Sequence, residues 1–192
     1  MRQKWWAGWP HLARLPHGSL DVLDAGCGEG RWVFELAALR PRWNVKGIDR
    51  DAASVASAQE VRRRLGLDNT SFVCSDYFAF GAEAQFDVVL VVASADYLAE
   101  EGAGRRLFET YARWLKPGGR LIFIDTRWDG PSPFFSLLPH PRNYHNVFSF
   151  DELLAMTQRV GLTVEHLYGT VGPLGVAAKQ LGWVTSLHSW PV

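Results

Sequence analysis

A chain of 192 residues falls in the size range of one large domain and is long enough to bury a core without disulfide or metal staples. Hydrophobic residues make up 47% and charged residues 21%, and 20 basic against 20 acidic residues leave no net charge to attract a polyanion, so nucleic acid is not the implied partner. Cys27 and Cys74 have neither a Cys-x-x-Cys partner nor metal-ligand spacing, which excludes a disulfide framework, predicts no metal site and fits a reducing cytoplasm.

At the start of the chain, Trp5, Trp6 and Trp9 lie in a segment without a continuous apolar stretch of signal-peptide length. The longest apolar run, Phe86 to Ala95, is broken by Asp87 and Ser94, so neither a secretion signal nor a membrane span is predicted. Residues 1–19 read as an N-terminal helical lid; the tryptophans equally suit contact with a partner.

Val22-Leu23-Asp24-Ala25-Gly26-Cys27-Gly28-Glu29-Gly30 reads as an apolar strand ending in three alternate glycines, with a helix opening directly behind it at Arg31. A turn of this kind brings bare backbone against a ligand, because glycine accepts positive φ and exposes main-chain N–H groups. The spacing is G-x-G-x-G. A dinucleotide fingerprint needs a third glycine where Arg31 stands, which disfavours a nicotinamide-dependent oxidoreductase.

Trp32 to Leu39 has helical spacing and stops at Pro41; Asn44 to Asp49 is a second strand ending in an acid. Asp51 is placed to cap a helix over Ala52 to Leu65, closed by Gly66. Arg62-Arg63-Arg64 on that helix reads as a solvated face. Ser71 to Cys74 is a third strand, followed by Asp76 and Tyr77. Phe86 to Val92 is a nearly unbroken β-branched run, the pattern of a central strand covered on both faces. Leu107, Phe108, Tyr111, Trp114 and Leu115 mark one side of a helix over Arg105 to Leu115, which Lys116-Pro117-Gly118-Gly119 ends as a tight turn before the strand Arg120 to Asp125. Ser149 and Glu152 have capping-box spacing for a helix ending near Val160, Gly161 supplies its stop, and Leu162 to Leu167 alternates like a further strand.

The order β-α-β-α-β-β-α-β-α-β predicts an α/β fold: a Rossmann-like, doubly wound, mainly parallel sheet flanked by helices. Ligands of such sheets bind beyond the carboxyl ends of the strands, where Asp24, Gly26, Asp49, Asp76 and Val92-Ala93-Ser94 all fall.

From about Leu20 to Asp125 the chain resembles the class I S-adenosylmethionine-dependent methyltransferases. The likeness is carried by the glycine loop, the acid of Gly47-Ile48-Asp49, Ser75-Asp76-Tyr77, Phe86-Asp87-Val88-Val89 and Leu115-Lys116-Pro117-Gly118-Gly119-Arg120-Leu121. It implies a single domain over residues 1–192: a cofactor-binding core over 20–125, a substrate-side insertion over 126–148, and a helix, strand and tail over 149–192.

By that resemblance S-adenosylmethionine is the cofactor. Gly26, Cys27, Gly28 and Gly30 would wrap its methionine part, with Cys27 present for its small size. Asp49, 19 residues past Gly30, would accept from both ribose hydroxyls, as an acceptor-only carboxylate can; the alternative is an acid that leads into a turn. Arg50 would lie beside the adenine, Asp76 would accept from its amino group with Tyr77 next to the ring, and Val92 and Ala93 would border the pocket. For Asp76 the alternative is a turn former. Asp24 would orient the loop and contact the cofactor's ammonium group, or cap local N–H groups.

The function implied is methyl transfer to O, N or C of a small or medium-sized acceptor by in-line displacement; the alternative is a non-catalytic S-adenosylmethionine-binding or regulatory module with the same fold. His140 and His145, in the Pro131 to Phe148 segment, and Tyr97, just past the fourth strand, are the candidates for contact with the acceptor or for a general base. The family sheet ends with an antiparallel strand beside the fifth, and none is persuasive after Leu167. Val184 to Leu187 is a poor candidate. The expectation is therefore an irregular last strand, a shortened chain, or an uncovered edge open to a homodimer.

Overall fold

The computed structural model describes residues 12–94, 103–126, 150–169 and 182–188. They form a sheet with β1 (Asp21–Ala25), β2 (Asn44–Asp49), β3 (Thr70–Cys74), β4 (Phe86–Val92), β5 (Leu115–Thr126), β6 (Thr163–Gly169) and β7 (Gly182–His188). The helices are α1 (Arg31–Leu39), α2 (Ala52–Leu65), α3 (Gly104–Trp114) and α4 (Phe150–Arg159). The seven strands run in the order β3-β2-β1-β4-β5-β7-β6. β3, β2, β1, β4 and β5 are parallel, whereas β7 pairs antiparallel with β5 on one side and β6 on the other. The fold is thus the Rossmann-like α/β arrangement expected.

The β-branched run of β4 is shared between two cores, as a strand's twofold alternation requires. Val89 and Val91 pack with Leu23, Ala25, Leu121, Phe123 and the aromatic face of α3. Val88 and Leu90 pack with Val22, Ile122, Ile124 and the apolar faces of α1 and α2. Within the first core Tyr111 and Trp114 of α3 are fully buried, their rings 5.7 Å apart. The helix ends follow local chemistry: the Asp51 carboxylate accepts from the N–H groups of Ala53 and Ser54, and Gly66 closes α2 in the left-handed conformation.

Two sequence expectations are corrected here. An antiparallel strand does exist beside β5: Ile122, Phe123 and Ile124 register with Ser186, Thr185 and Val184, so the β5 edge is covered by the chain's own β7 and does not invite a homodimer. Its sequence is hard to recognise because a strand paired on both sides draws its stability from the main-chain ladder, which leaves no trace in residue type. Second, Lys116 to Gly119 lies within β5. Phe86 pairs with Leu115 and Val88 with Arg120, so these four residues bulge out opposite the single residue Asp87 of β4.

The N-terminal segment expected to be a lid lies outside the described residues up to position 11, as do 95–102 and 127–149. Tyr97, His140 and His145 fall in those stretches.

Candidate functional site

Strand order reverses between β1 and β4, the topological switch point at which parallel α/β sheets bind ligands. An open cleft of about 250 Å³ lies at the carboxyl ends of β1 to β4, lined by Gly26, Asp49, Arg50, Ser75, Asp76, Tyr77, Ala93 and Ser94. Six of these are residues singled out from the sequence. Ser75 and Ser94 belong to the Ser75-Asp76-Tyr77 and Val92-Ala93-Ser94 segments noted in the sequence, without a role of their own there.

The glycine loop is built by positive φ at Gly26, Gly28 and Gly30. Gly26 and Cys27 both donate through their N–H groups to the Ile48 carbonyl, at 2.8 and 3.0 Å, which fastens the loop to the end of β2. At Gly26 there is no room for a side chain: a Cβ would run into Ser94 and the Tyr77 hydroxyl. At Gly30 it would strike the Phe72 ring at 2.6 Å, so this third glycine serves packing against β3. Cys27 is buried, and burial, then Asp24 and Asp49, push its thiol up and keep it protonated. Its bulk is limited by Gly47, where a Cβ would stand 2.7 Å from the sulfur.

Asp49 is half-buried and bridges two segments of backbone. Its Oδ2 accepts from the Gly28 N–H at 2.7 Å and its Oδ1 from the Asp51 N–H at 2.9 Å. The second bond is the turn-forming role foreseen as the alternative; the first ties the acid to the glycine loop. Each carboxylate oxygen still has one lone pair for a ligand hydroxyl. Asp76 likewise forms a local turn through Oδ1, which accepts from the Phe78 N–H at 2.8 Å. Tyr77 is buried edge-on against Tyr111 and Trp114, with ring centroids 6.0 and 6.2 Å apart, so the core of the molecule fixes where its hydroxyl stands.

The β4 wall carries backbone strain. Ala93 has φ of 49°, a region that costs a non-glycine residue free energy, and its N–H donates to the Ile124 carbonyl at 2.7 Å. The Ser94 hydroxyl donates to the Ala25 carbonyl at 2.9 Å, which draws the ends of β4 and β1 together over Gly26.

Asp24 is only 1% exposed, and its Oδ2 has no hydrogen-bond partner. Burial first, and the Asp49 charge second, push its carboxyl up to about 7. Asp24, Cys27, Gly28, Gly30 and Val92, also expected at the cofactor, are not among the residues that line the cleft. Among the described residues no group of His, Cys, Asp and Glu could hold a metal ion.

The model of the family described as "Methyltransferase domain" matches residues 16–163. The chain belongs to that family. The methyltransferase domain adopts the class I fold, whose cofactor is S-adenosylmethionine. Among curated proteins it is similar to a tRNA (guanine-N(7)-)-methyltransferase of Trichormus variabilis, 37% identical over 65 residues, 34% of this chain and 30% of that one. It is also similar to the release factor glutamine methyltransferase of Escherichia coli, 33% identical over 90 residues, 47% of this chain and 32% of the relative. The chain therefore spans about a third of the length of these curated relatives. In fold it is similar to the geranyl diphosphate C-methyltransferase of Streptomyces coelicolor, crystallised with Mg2+, geranyl diphosphate and S-adenosyl-L-homocysteine. That likeness has a TM-score of 0.77 at 18% identity and covers 99% of this chain and 79% of the other. Among the described residues no helix is long and apolar enough to cross a membrane.

Proposed function

We propose that the protein is an S-adenosylmethionine-dependent methyltransferase acting on O, N or C of a small or medium-sized acceptor. The observation that carries this reading is the gathering of Gly26, Asp49 and Asp76 on one cleft at the switch point of a methyltransferase domain. The residues present fit the cofactor. Gly28 leaves open space where a Cβ would stand, Asp49 offers lone pairs to a vicinal diol, and Asp24 is a buried acid whose unpartnered oxygen suits a positive charge.

When bound, S-adenosylmethionine supplies a methyl group on a positive sulfur, activated for in-line displacement. The protein's part is to orient and exclude. Gly26 to Gly30 shape the backbone against the methionine end; Asp49 accepts from the ribose hydroxyls; Asp76 accepts from the adenine amino group, with Arg50 and Tyr77 forming the walls around the base. Ala93 and Ser94 close the side that faces the acceptor. His140, His145 and Tyr97 are the candidates to touch the acceptor and take its proton.

Acceptor class rests on charge. The chain is neutral overall, and Arg63 and Arg64 are paired with Glu60, so the helix face they share lacks the free cations that would track a phosphate backbone. The two curated relatives are named for a tRNA and a release factor, so both belong in the test. Labelled S-adenosylmethionine offered with amines, phenols, alcohols, unmodified tRNA and a peptide should yield a methylated small molecule. Cofactor binding without transfer to any of them would favour the non-catalytic module, and failure to bind S-adenosylmethionine or S-adenosylhomocysteine in calorimetry would overturn the reading altogether.

A further inference from the structure

Asp24 is at odds with its surroundings. The side chain lies at the end of β1 with 1% exposure, and Oδ2 is buried without a partner. Its neighbours in register are Gly47 on β2 and Leu90 on β4, neither of which carries charge. From the end of β2 comes Asp49, a second carboxylate, and from the loop that follows β1 comes the Cys27 thiol, which stays neutral. Arg50 and Asp76 line the same cleft, but the charge that bears on Asp24 is that of Asp49. A carboxylate in this position lacks both water and a counter-charge, so the neutral acid is the favoured form until a cation arrives.

We propose that Asp24 couples cofactor entry to the loss of a proton: the buried carboxyl is protonated in the empty site and gives its proton to solvent when a sulfonium cofactor brings positive charge beside it. The O–H bond breaks, its electron pair stays on the carboxylate oxygen, and the proton passes to the buffer. The inference rests on the cofactor assignment above and adds its regulation. Affinity then depends on pH in a defined direction. Below the midpoint the acid must be deprotonated at a cost before the cofactor is held, so binding weakens as pH falls.

Calorimetry of the full chain with S-adenosylmethionine, at pH 6 and pH 8 and in pairs of buffers that differ in ionisation heat, counts the protons. With the carboxyl poised near 7, about 0.9 proton should leave per cofactor at pH 6 and about 0.1 at pH 8, with affinity about tenfold weaker at pH 6. Asp24→Asn, a neutral mimic of the acid, should remove the Asp24 share of the release and flatten the affinity change to within about twofold. The difference between the two proteins separates Asp24 from the cofactor's own amino group. Equal proton counts in both proteins, or proton uptake by the unsubstituted one, would overturn the coupling while leaving cofactor binding intact; no binding at either pH would overturn the functional reading and the coupling with it. Should Asp24→Asn fail to fold, the 13Cγ resonance of Asp24 in the unsubstituted protein decides. Its titration midpoint is expected to fall by at least two pH units when S-adenosylmethionine is added, and an unmoved midpoint refutes the coupling.

Discussion

Single residues at this site do two tasks at once, and Asp49 is the clearest case. Its carboxylate holds the glycine loop through Gly28 and the start of α2 through Asp51, so the same oxygens that would meet a ribose diol also set the shape of the cradle. Asp49→Ala should therefore weaken S-adenosylmethionine binding by more than about 100-fold, since two charge-assisted hydrogen bonds are lost together with the loop tether; calorimetry reads this directly. Asp24 makes the opposite point, that a group useful to a ligand burdens the empty protein. Its folded-state carboxyl stands near 7 against 3.8 as the ordinary value, so between those values the native state holds a proton that the unfolded chain has shed. Its contribution to stability accordingly falls as pH rises from about 4 to about 7, by at most on the order of 4 kcal/mol. Without cofactor, Asp24→Asn should melt above the unsubstituted protein at pH 8 and level with it at pH 3, below the ordinary carboxyl value, as differential scanning calorimetry would show. The identity of these acids was legible in the sequence because strand-end carboxylates after β-branched runs are sparse and regularly placed. The strain at Ala93 and the orphan oxygen of Asp24 were not, because both depend on backbone angles and burial that residue type leaves open.

At the scale of elements, the amino ends of the strands are tied as firmly as their carboxyl ends are opened. Lys116, at the start of the β5 bulge, donates to Asp21 of β1 at 2.8 Å and to Asp87 of β4 at 2.9 Å, while the Asp21 N–H donates to Asp87 and Asn44 of β2 donates to Asp21. Hydrogen bonds from Lys116 and Asn44 hold the Asp21 carboxyl below the ordinary range; hydrogen bonds to Asp21 and Asp87 hold the Lys116 amine above its own. The stability this clip provides is lost only as pH falls through the depressed carboxylate or rises through the elevated amine, so it is constant across neutral pH. The groups are about a third exposed, and water screens them. Lys116→Met should cost about 1 kcal/mol in urea denaturation at pH 7, and that cost should shrink as pH falls below the ordinary carboxylate range. Lys116 to Gly119 reads as a plain turn because lysine, proline and two glycines carry turn propensity, whereas the pairing on both sides of the bulge is long-range. The same holds for β7. Its place between β5 and β6 means that a proline there removes ladder bonds in an interior strand, so Val184→Pro should cost about 3 kcal/mol or more and expose the β5 edge, seen as a lower melting temperature together with concentration-dependent association in light scattering.

Across the whole molecule the two ends of the sheet divide the labour: polar clip at the amino ends, cleft at the carboxyl ends, and between them two cores that share the apolar run of β4. That division was readable in advance for β1 to β5, since each βα unit announces itself through periodicity and its closing glycine or capping acid, and it faded beyond Leu167, where the strand order turns antiparallel and local patterns stop reporting neighbours. It also makes the division testable. A ligand that binds only the folded protein stabilises it by an amount fixed by its concentration relative to its dissociation constant, about 2.7 kcal/mol at a hundredfold excess. If cleft and clip are energetically separate, Lys116→Met lowers the melting temperature of the free protein yet gains the same increment from S-adenosylmethionine as the unsubstituted chain, because changes at sites without shared partners add. Asp49→Ala should show the reverse: little change without the cofactor beyond that of its lost backbone tethers, and no increment with it. Thermal melts of the three proteins over a cofactor series measure both quantities at once, and a diminished increment in Lys116→Met would mean that strain at the amino ends reaches the glycine loop through β1.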